Sequence, residues 1–347
     1  METTGTNLFL ALFDLLFRDL LIVVVLAAVI VPLYFTRTAA IAVVRRNFKG
    51  YFSNPTGYVF LCVFVLFTSF AAFWPHQFFN ANLANLNQLN QFLPLIMLIY
   101  IPAITMSIWS EEKREKTDEL LLTLPAHDFD IVIGKFLAAA LIFTVSLLFS
   151  QISNFLVLAS LARTPSTYIV DLDTGLLTTN YFGYWLIGLS MLSLGMVASF
   201  LTRNATIAFV FGLAFNIPLV AAAYADVIAQ SSQLAQIISR WGIYAQFDDF
   251  QRGILSLSST MYFCMIISIG LYLCMVLIGK RHWSGGKDGA SLWWHYLVRT
   301  AALVVAMLSL TIVFDQRDLI RFDTTRGKVS SLSDDSRKLI ADLDPKH

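Results

Sequence analysis

The sequence predicts an all-α polytopic membrane protein, and three observations carry that prediction. Of the 347 residues, 57% are hydrophobic and only 14% are charged, against about 45–50% and about 25% in a soluble domain. Mean hydropathy is +0.68. The apolar residues also gather into stretches of the length a helix needs to cross a bilayer core, about 20 residues with a range of about 17–25.

Eight stretches qualify: Leu20–Phe35, Gly57–Trp74, Phe92–Trp109, Ile133–Leu158, Tyr181–Leu201, Ala205–Tyr224, Met261–Gly279 and Leu297–Phe314. The first is the shortest. It does not read as a secretory leader, because no small-residue cleavage site follows it and Arg37 stands where a cut is expected. The three cysteines, Cys62, Cys264 and Cys274, lie inside apolar stretches without metal-ligand spacing, so they report nothing about redox compartment.

Between the first two stretches, Thr38–Phe52 carries Ile41, Val44 and Phe48 at helical spacing, with Arg45, Arg46, Asn47 and Lys49 on the remaining face. That pattern predicts an amphipathic helix in the membrane interface, ended by Ser53-Asn54-Pro55. The connection Pro75–Gln91 holds no Lys or Arg. The connection Ser110–Lys135 is its opposite, with eight charged residues between Glu111 and Glu119. Each charge at the centre of a bilayer costs roughly 2.5–3.5 kcal/mol even on a lenient scale, so this segment is aqueous. It also holds an apolar run, Leu120, Leu121, Leu122, Leu124, Phe129 and Ile131. Two readings account for that run: a short helix gripped by a soluble partner, or a solvated linker resting its leucines on headgroups.

Within the fourth stretch, Ser146, Ser150 and Asn154 recur every four residues beside Gln151 and Ser153. They either line a polar path or make hydrogen bonds between packed helices. Asn216 and Pro218 in the sixth stretch predict a kink with the same two readings. Asp171-Leu172-Asp173 has a metal-binding spacing, but alone in a connection it reads as a solvated turn. The connection Ala225–Ser259 mixes polar and apolar residues and predicts one or two short helices dipping into the membrane. No Asp, Glu, Lys or Arg falls in the middle of a predicted span, which argues against an ion-coupled carrier.

Alternate connections differ in charge. Thirteen Lys and Arg fall on the side of Ser110–Lys135 and four on the other, leaving out the C-terminal tail. The positive-inside rule therefore places the charged connection in the cytoplasm and both termini outside. Catalytic motifs are missing. The Gly-Lys pairs at Gly134, Gly279, Gly286 and Gly327 lack the earlier glycine and the following hydroxyl of a phosphate-binding loop. No zinc-protease or serine-hydrolase motif occurs. A membrane protein with a docking loop and no nucleotide site of its own calls for an external motor.

The segment Ser110–Pro125 resembles the motif after the second core helix of ABC transporter permeases of the type-2 exporter class. Glu112, Arg114, Thr117, Glu119, Leu120, Leu121 and Pro125 match it, while Lys116 stands where the family has glycine. The interfacial helix before Gly57, the six apolar stretches from Gly57 to Gly279 and Tyr244–Gly253 fit as well. The resemblance implies a six-helix permease core plus one extra transmembrane helix at each end. It divides the chain into 1–36, the interfacial helix 37–55, a core 56–280 with its coupling loop 110–133, a linker and last helix 281–314, and a tail 315–347.

The resemblance further implies two permease subunits, as homodimer or heterodimer, in the bacterial cytoplasmic (inner) membrane. Two separate ATPase subunits would bind the ATP and Mg and push on a coupling helix at about Thr117–Asp130, with Leu121, Leu124 and Phe129 facing the ATPase. This chain would then be no enzyme itself, with no cofactor or metal, and no nucleic acid among its partners. The nearest branch resembles the gliding-motility and nitrous-oxide-reductase-maturation type, and the tail resembles the opening of that branch's outer auxiliary domain through Phe322-Asp-x-Thr325, Ser-Leu-Ser and a leucine-bearing helix begun by Ser333. A disordered tail is the plain alternative. Beside an exporting permease, two further readings stand: a scaffold that transmits force without transport, and a membrane enzyme. The substrate is not written in the sequence.

Overall fold

A computed structural model of the chain describes residues 2–74, 86–123, 126–161, 172–222, 239–279, 289–317 and 321–325. In chain order these form α1 (Glu2–Thr36), α2 (Thr38–Ser53), α3 (Pro55–Ala72), α4 (Asn87–Thr105), α5 (Ser107–Glu115), α6 (Thr117–Thr123), α7 (Asp128–Leu161), α8 (Thr174–Phe200), α9 (Ala205–Ala221), α10 (Ile243–Gln251), β1 (Ile254–Ser256), α11 (Leu257–Gly279), α12 (Gly289–Arg317) and β2 (Arg321–Asp323). The architecture is all-α, with one two-stranded antiparallel ribbon of β1 and β2. Among the described residues, seven helices are long and apolar enough to cross a membrane, and α9, with 17 residues, is a shorter apolar helix. The protein is an integral membrane protein of the polytopic class the composition predicts.

Local chemistry sets the helix starts. Pro55 opens α3 behind an Asn54 side chain that accepts from Thr56 N at 3.3 Å, as a fixed φ and a missing N–H favour at a first turn. Asp173 caps α8 by accepting from Leu176 N at 3.0 Å, and Asn204 caps α9 by accepting from Thr206 N at 2.9 Å. Asp173 is thus a capping residue; Asp171 lies outside the described residues.

The helix α8 is the axle of the bundle: 94% of its span is buried, against 6% for α12 and 17% for α1. It packs on α1, α4, α5, α7, α9, α10 and α11. Small residues allow the closest of these approaches, for a Cβ on Gly188 would lie 2.1 Å from the Phe143 ring of α7. In a membrane such close packing replaces the hydrophobic drive that lipid tails cannot supply. Lipid-facing helices keep apolar side chains outward instead, among them Leu66, Phe67 and Phe70 of α3.

The first span departs from expectation. Helix α1 runs back to Glu2 and its apolar part covers Phe9–Thr36, so Asp14, Arg18 and Asp19 lie within it. Arg18 pairs with Asp14 one turn away at 3.1 Å. Asp19, only 4% exposed, accepts from the Gln151 side chain of α7 at 2.9 Å. The expected start of this span at Leu20 is therefore corrected, and ionisable residues lie in its first half. Mutual pairing and a hydrogen-bonding neighbour let these charges sit in a helix that a hydropathy reading ends before them.

The described ends of the chain share one end of the bundle, opposite α5 and α6. Asp14 of α1 accepts from Thr174 at 2.6 Å. Beside it β2 pairs with β1, matching Ile254 to Asp323, Leu255 to Phe322 and Ser256 to Arg321. Thr324 N donates to Gly253 O at 3.0 Å, and Arg321 meets Asp249 of α10 at 3.3 Å. The tail's Phe-Asp-x-Thr start is thus docked on the bundle, while the expected helix begun by Ser333 lies outside the described residues.

Candidate functional site

The charged connection is two short helices joined at a corner, set against α2, α7 and the end of α8. Helix α4 bends at Met106 into α5, so Ser110–Glu115 is helical and not loop. The first amides of α5 need acceptors, and a residue 90 positions away supplies one. The Ser199 hydroxyl of α8 accepts from Trp109 N at 3.1 Å and from Ser110 N at 3.3 Å, and donates to Met106 O at 3.0 Å. Trp109 is fully buried with its ring edge-on to Phe200 at 5.0 Å. The Lys113 ammonium bonds the Phe200 carbonyl and lies 3.5 Å from the Phe200 ring centroid, which places a cation at the C-terminal end of α8.

Glu112 is the centre of the corner. One carboxylate oxygen meets Arg46 of α2 at 2.5 Å, the other meets Lys135 of α7 at 2.6 Å. Lys135 is 1% exposed, donates to Ile108 O at 2.7 Å and sits 4.4 Å from the Trp109 ring centroid. A buried ammonium demands this kind of partner set. Nearby, Arg37 meets Asp130 of α7 at 3.4 Å. One carboxylate thereby ties three helices from distant parts of the chain.

Lys116, at the turn, has φ 58 and ψ 19, the left-handed conformation. That is where a helix end favours glycine, which explains the residue type expected at this position. After it, α6 is seven residues long and ends at Thr123, so the expected coupling helix over Thr117–Asp130 is corrected. Asp128, Phe129 and Asp130 belong to the first turn of α7.

The expected site residues divide by exposure. Glu112 and Leu121 face inward, Leu121 at 5% exposed and part of the main core. Arg114, Thr117 and Glu119 are exposed, as is Phe129 at 43%. Leu124 and Pro125 lie outside the described residues, as does the Leu120 side chain. Leu121 therefore fills a groove of its own chain, a correction to its assignment as a docking residue.

The interfacial helix α2 also packs inward. Val44 and Ala40 are buried, Ile41 and Phe48 half-buried, and Arg45, Arg46 and Lys49 exposed. Its partner is α7, whose Gly134 leaves no room for a side chain: a Cβ there would lie 2.8 Å from Ala40 O. The polar residues of α7 are spent between helices. Ser146 accepts from Tyr100 of α4 at 2.7 Å, and Ser150 bonds Thr68 of α3 at 2.7 Å. Asn154 accepts from Ser69 of α3 and donates to Tyr181 of α8, both at 2.9 Å. Asn216 donates to Gly212 O at 2.8 Å and Met191 O at 3.4 Å. All four residues are at most 1% exposed, so within one chain Ser146, Ser150 and Asn154 make bonds between helices, and Asn216 bonds mainly within its own helix α9 and reaches α8 only at 3.4 Å.

Sequence reasoning missed Ser199, Trp109, Lys113 and Asp19. For Ser199 no local signal exists, since its role is set by a contact across 90 positions.

Among the described residues no cluster of metal-binding side chains occurs. No curated protein matches the chain. The profile of the family described as ABC-2 family transporter protein matches residues 18–319, a stretch that takes in most of the first span, all the later ones and the corner, and stops just before β2. The chain belongs to the ABC-2 transporter family and is a permease component of an ABC transporter.

Proposed function

We propose that this chain receives the stroke of a separate ABC ATPase at the α5–α6 corner and passes it into the membrane bundle, exporting or moving a substrate across a bacterial cytoplasmic membrane. The observation that carries this reading is the two-sided corner. Its inner side is ion-paired to α2 and α7 through Glu112, while Arg114, Thr117, Glu119 and Phe129 are presented outward. A solvated linker has no need of a carboxylate knot behind it. The ATP and Mg would belong to the ATPase, and a second permease subunit, the same or related, would complete the pathway.

A second reading, force transmission without transport, has its own support. Ser146, Ser150 and Asn154 of α7 are engaged between helices, and the tail is strapped to the end opposite the corner. The gliding-type branch and an outer auxiliary domain carried by the tail belong to this reading.

The test is co-purification with an ABC ATPase subunit co-expressed with this chain. Phe129→Asp with Glu119→Lys is expected to leave the chain inserted and folded, since both side chains are exposed, yet to abolish recovery of the ATPase. Undiminished recovery and ATP turnover would return the corner to a solvated linker. Substrate movement in vesicles then separates export from force transmission.

A further inference from the structure

Two recesses meet where α2, α3, α4 and α7 converge. One, of about 540 Å³, lies beneath α2 and is lined by Arg46, Asn47, Tyr51, Glu111, Glu112 and Lys135 among others. The other, of about 490 Å³, is a groove between α3 and α4 walled by side chains such as Phe67, Phe70, Trp74, Leu95 and Ile99. Phe60 and Ala103 line both, so the two form one recess, polar beside α5 and apolar along the spans. That is the outline of an amphiphile with its head at the interface.

The polar part carries both signs of charge. Glu112 holds Arg46 and Lys135 together, whereas Glu111 makes no ion pair among the described residues and Glu115 meets only an exposed Arg114, at 3.7 Å. Donors are in surplus on the other wall. The Asn47 amide nitrogen has no hydrogen-bond partner, and the Tyr51 hydroxyl lies beside that of Tyr100, which donates elsewhere, to Ser146. Burial pushes the Tyr51 phenol up to about 12, so it stays a neutral donor at physiological pH. Buried donors without acceptors are costly and favour an oxygen-rich ligand.

We propose that this recess binds an aminophospholipid of the phosphatidylethanolamine class, with its phosphate on the Arg46–Asn47–Tyr51 wall, its ammonium at Glu111 and its acyl chains in the α3–α4 groove. A headgroup of net negative charge leaves Glu111 facing like charge, and a choline head has no N–H to donate. The site stands whether or not the corner meets an ATPase.

The full chain, reconstituted with equal parts phosphatidylethanolamine, phosphatidylcholine and phosphatidylglycerol, is extracted and its retained lipid counted by native mass spectrometry. Phosphatidylethanolamine is expected to be retained over both others. Glu111→Gln, an exposed position whose change leaves the fold intact, should lower the preference over phosphatidylcholine about tenfold, the scale of one charged hydrogen bond. Water-soluble phosphoethanolamine should not displace the lipid, because the groove holds the chains. Equal retention of the three lipids, preference for phosphatidylglycerol, an unaltered preference in Glu111→Gln, or displacement by phosphoethanolamine would each overturn the proposal.

Discussion

At the scale of residues, the Glu112–Lys135 pair sets the energetics of the corner. Removing one member of a buried pair typically costs about 3–5 kcal/mol, because the other charge is stranded, whereas an apolar replacement of similar volume is often tolerated. Glu112→Gln strands Lys135, which is 1% exposed. Lys135→Met leaves Glu112 its Arg46 partner and the Trp109 ring an apolar neighbour. Melting in detergent should therefore rank Glu112→Gln well below Lys135→Met, by about 2 kcal/mol or more, and the reverse order would deny the knot its role. Lys116 makes a prediction of opposite sign. A left-handed conformation costs a residue with a Cβ roughly 1–2 kcal/mol, so Lys116→Gly is expected to raise stability by about 1 kcal/mol, read in the same melt. Both side chains were visible in the sequence, Glu112 as a motif match and Lys116 as a departure from it. The partners of Glu112 were not, since Arg46 and Lys135 come from helices that nothing local links to the motif.

Among elements, the spans were legible because each holds a continuous apolar run, and hydropathy needs no tertiary context. Boundaries failed where tertiary contacts compensate local polarity. Asp14, Arg18 and Asp19 mark the end of a membrane segment by hydropathy, but Gln151 donates to Asp19, Thr174 donates to Asp14, and Arg18 pairs with Asp14. The stripe of α2 was legible too, but an amphipathic pattern says which face is covered and not by what. The crossing of α2 on α7 turns on Gly134, while Gly50 of the same α2 has nothing within 4 Å of a built Cβ. Two substitutions of one kind should thus diverge. Gly134→Ala is expected to cost about 1–3 kcal/mol by overpacking and to raise protease cleavage in α2. Gly50→Ala should be neutral or stabilising by up to about 1 kcal/mol through helix propensity. Equal behaviour would mean that α2 does not pack on α7.

For the whole molecule, the charge asymmetry between its two ends predicts orientation. Cysteines replacing Lys116 at the corner and Asn85 in the connection before α4, each in a cysteine-free chain, are expected to label from opposite sides of intact cells with an impermeant reagent. Labelling of the Lys116 position from outside would invert the map. That α8 would be the axle was not legible, because its sequence is no more apolar than its neighbours'; burial is a property of the packing. Its position gives it grips at both ends. At one, Ser199 and Phe200 hold the backbone and Lys113 of α5. At the other, Thr174 holds α1 and Gly175 O accepts from Thr324 of the tail at 3.4 Å. A helix of 27 residues is about 40 Å long at 1.5 Å per residue, and along its axis it is stiff. On the force-transmission proposal such a helix would serve as a push-rod, so that a stroke delivered to the corner would arrive at the root of the tail as the same axial displacement, with no cargo, pore or rotation needed to carry it across.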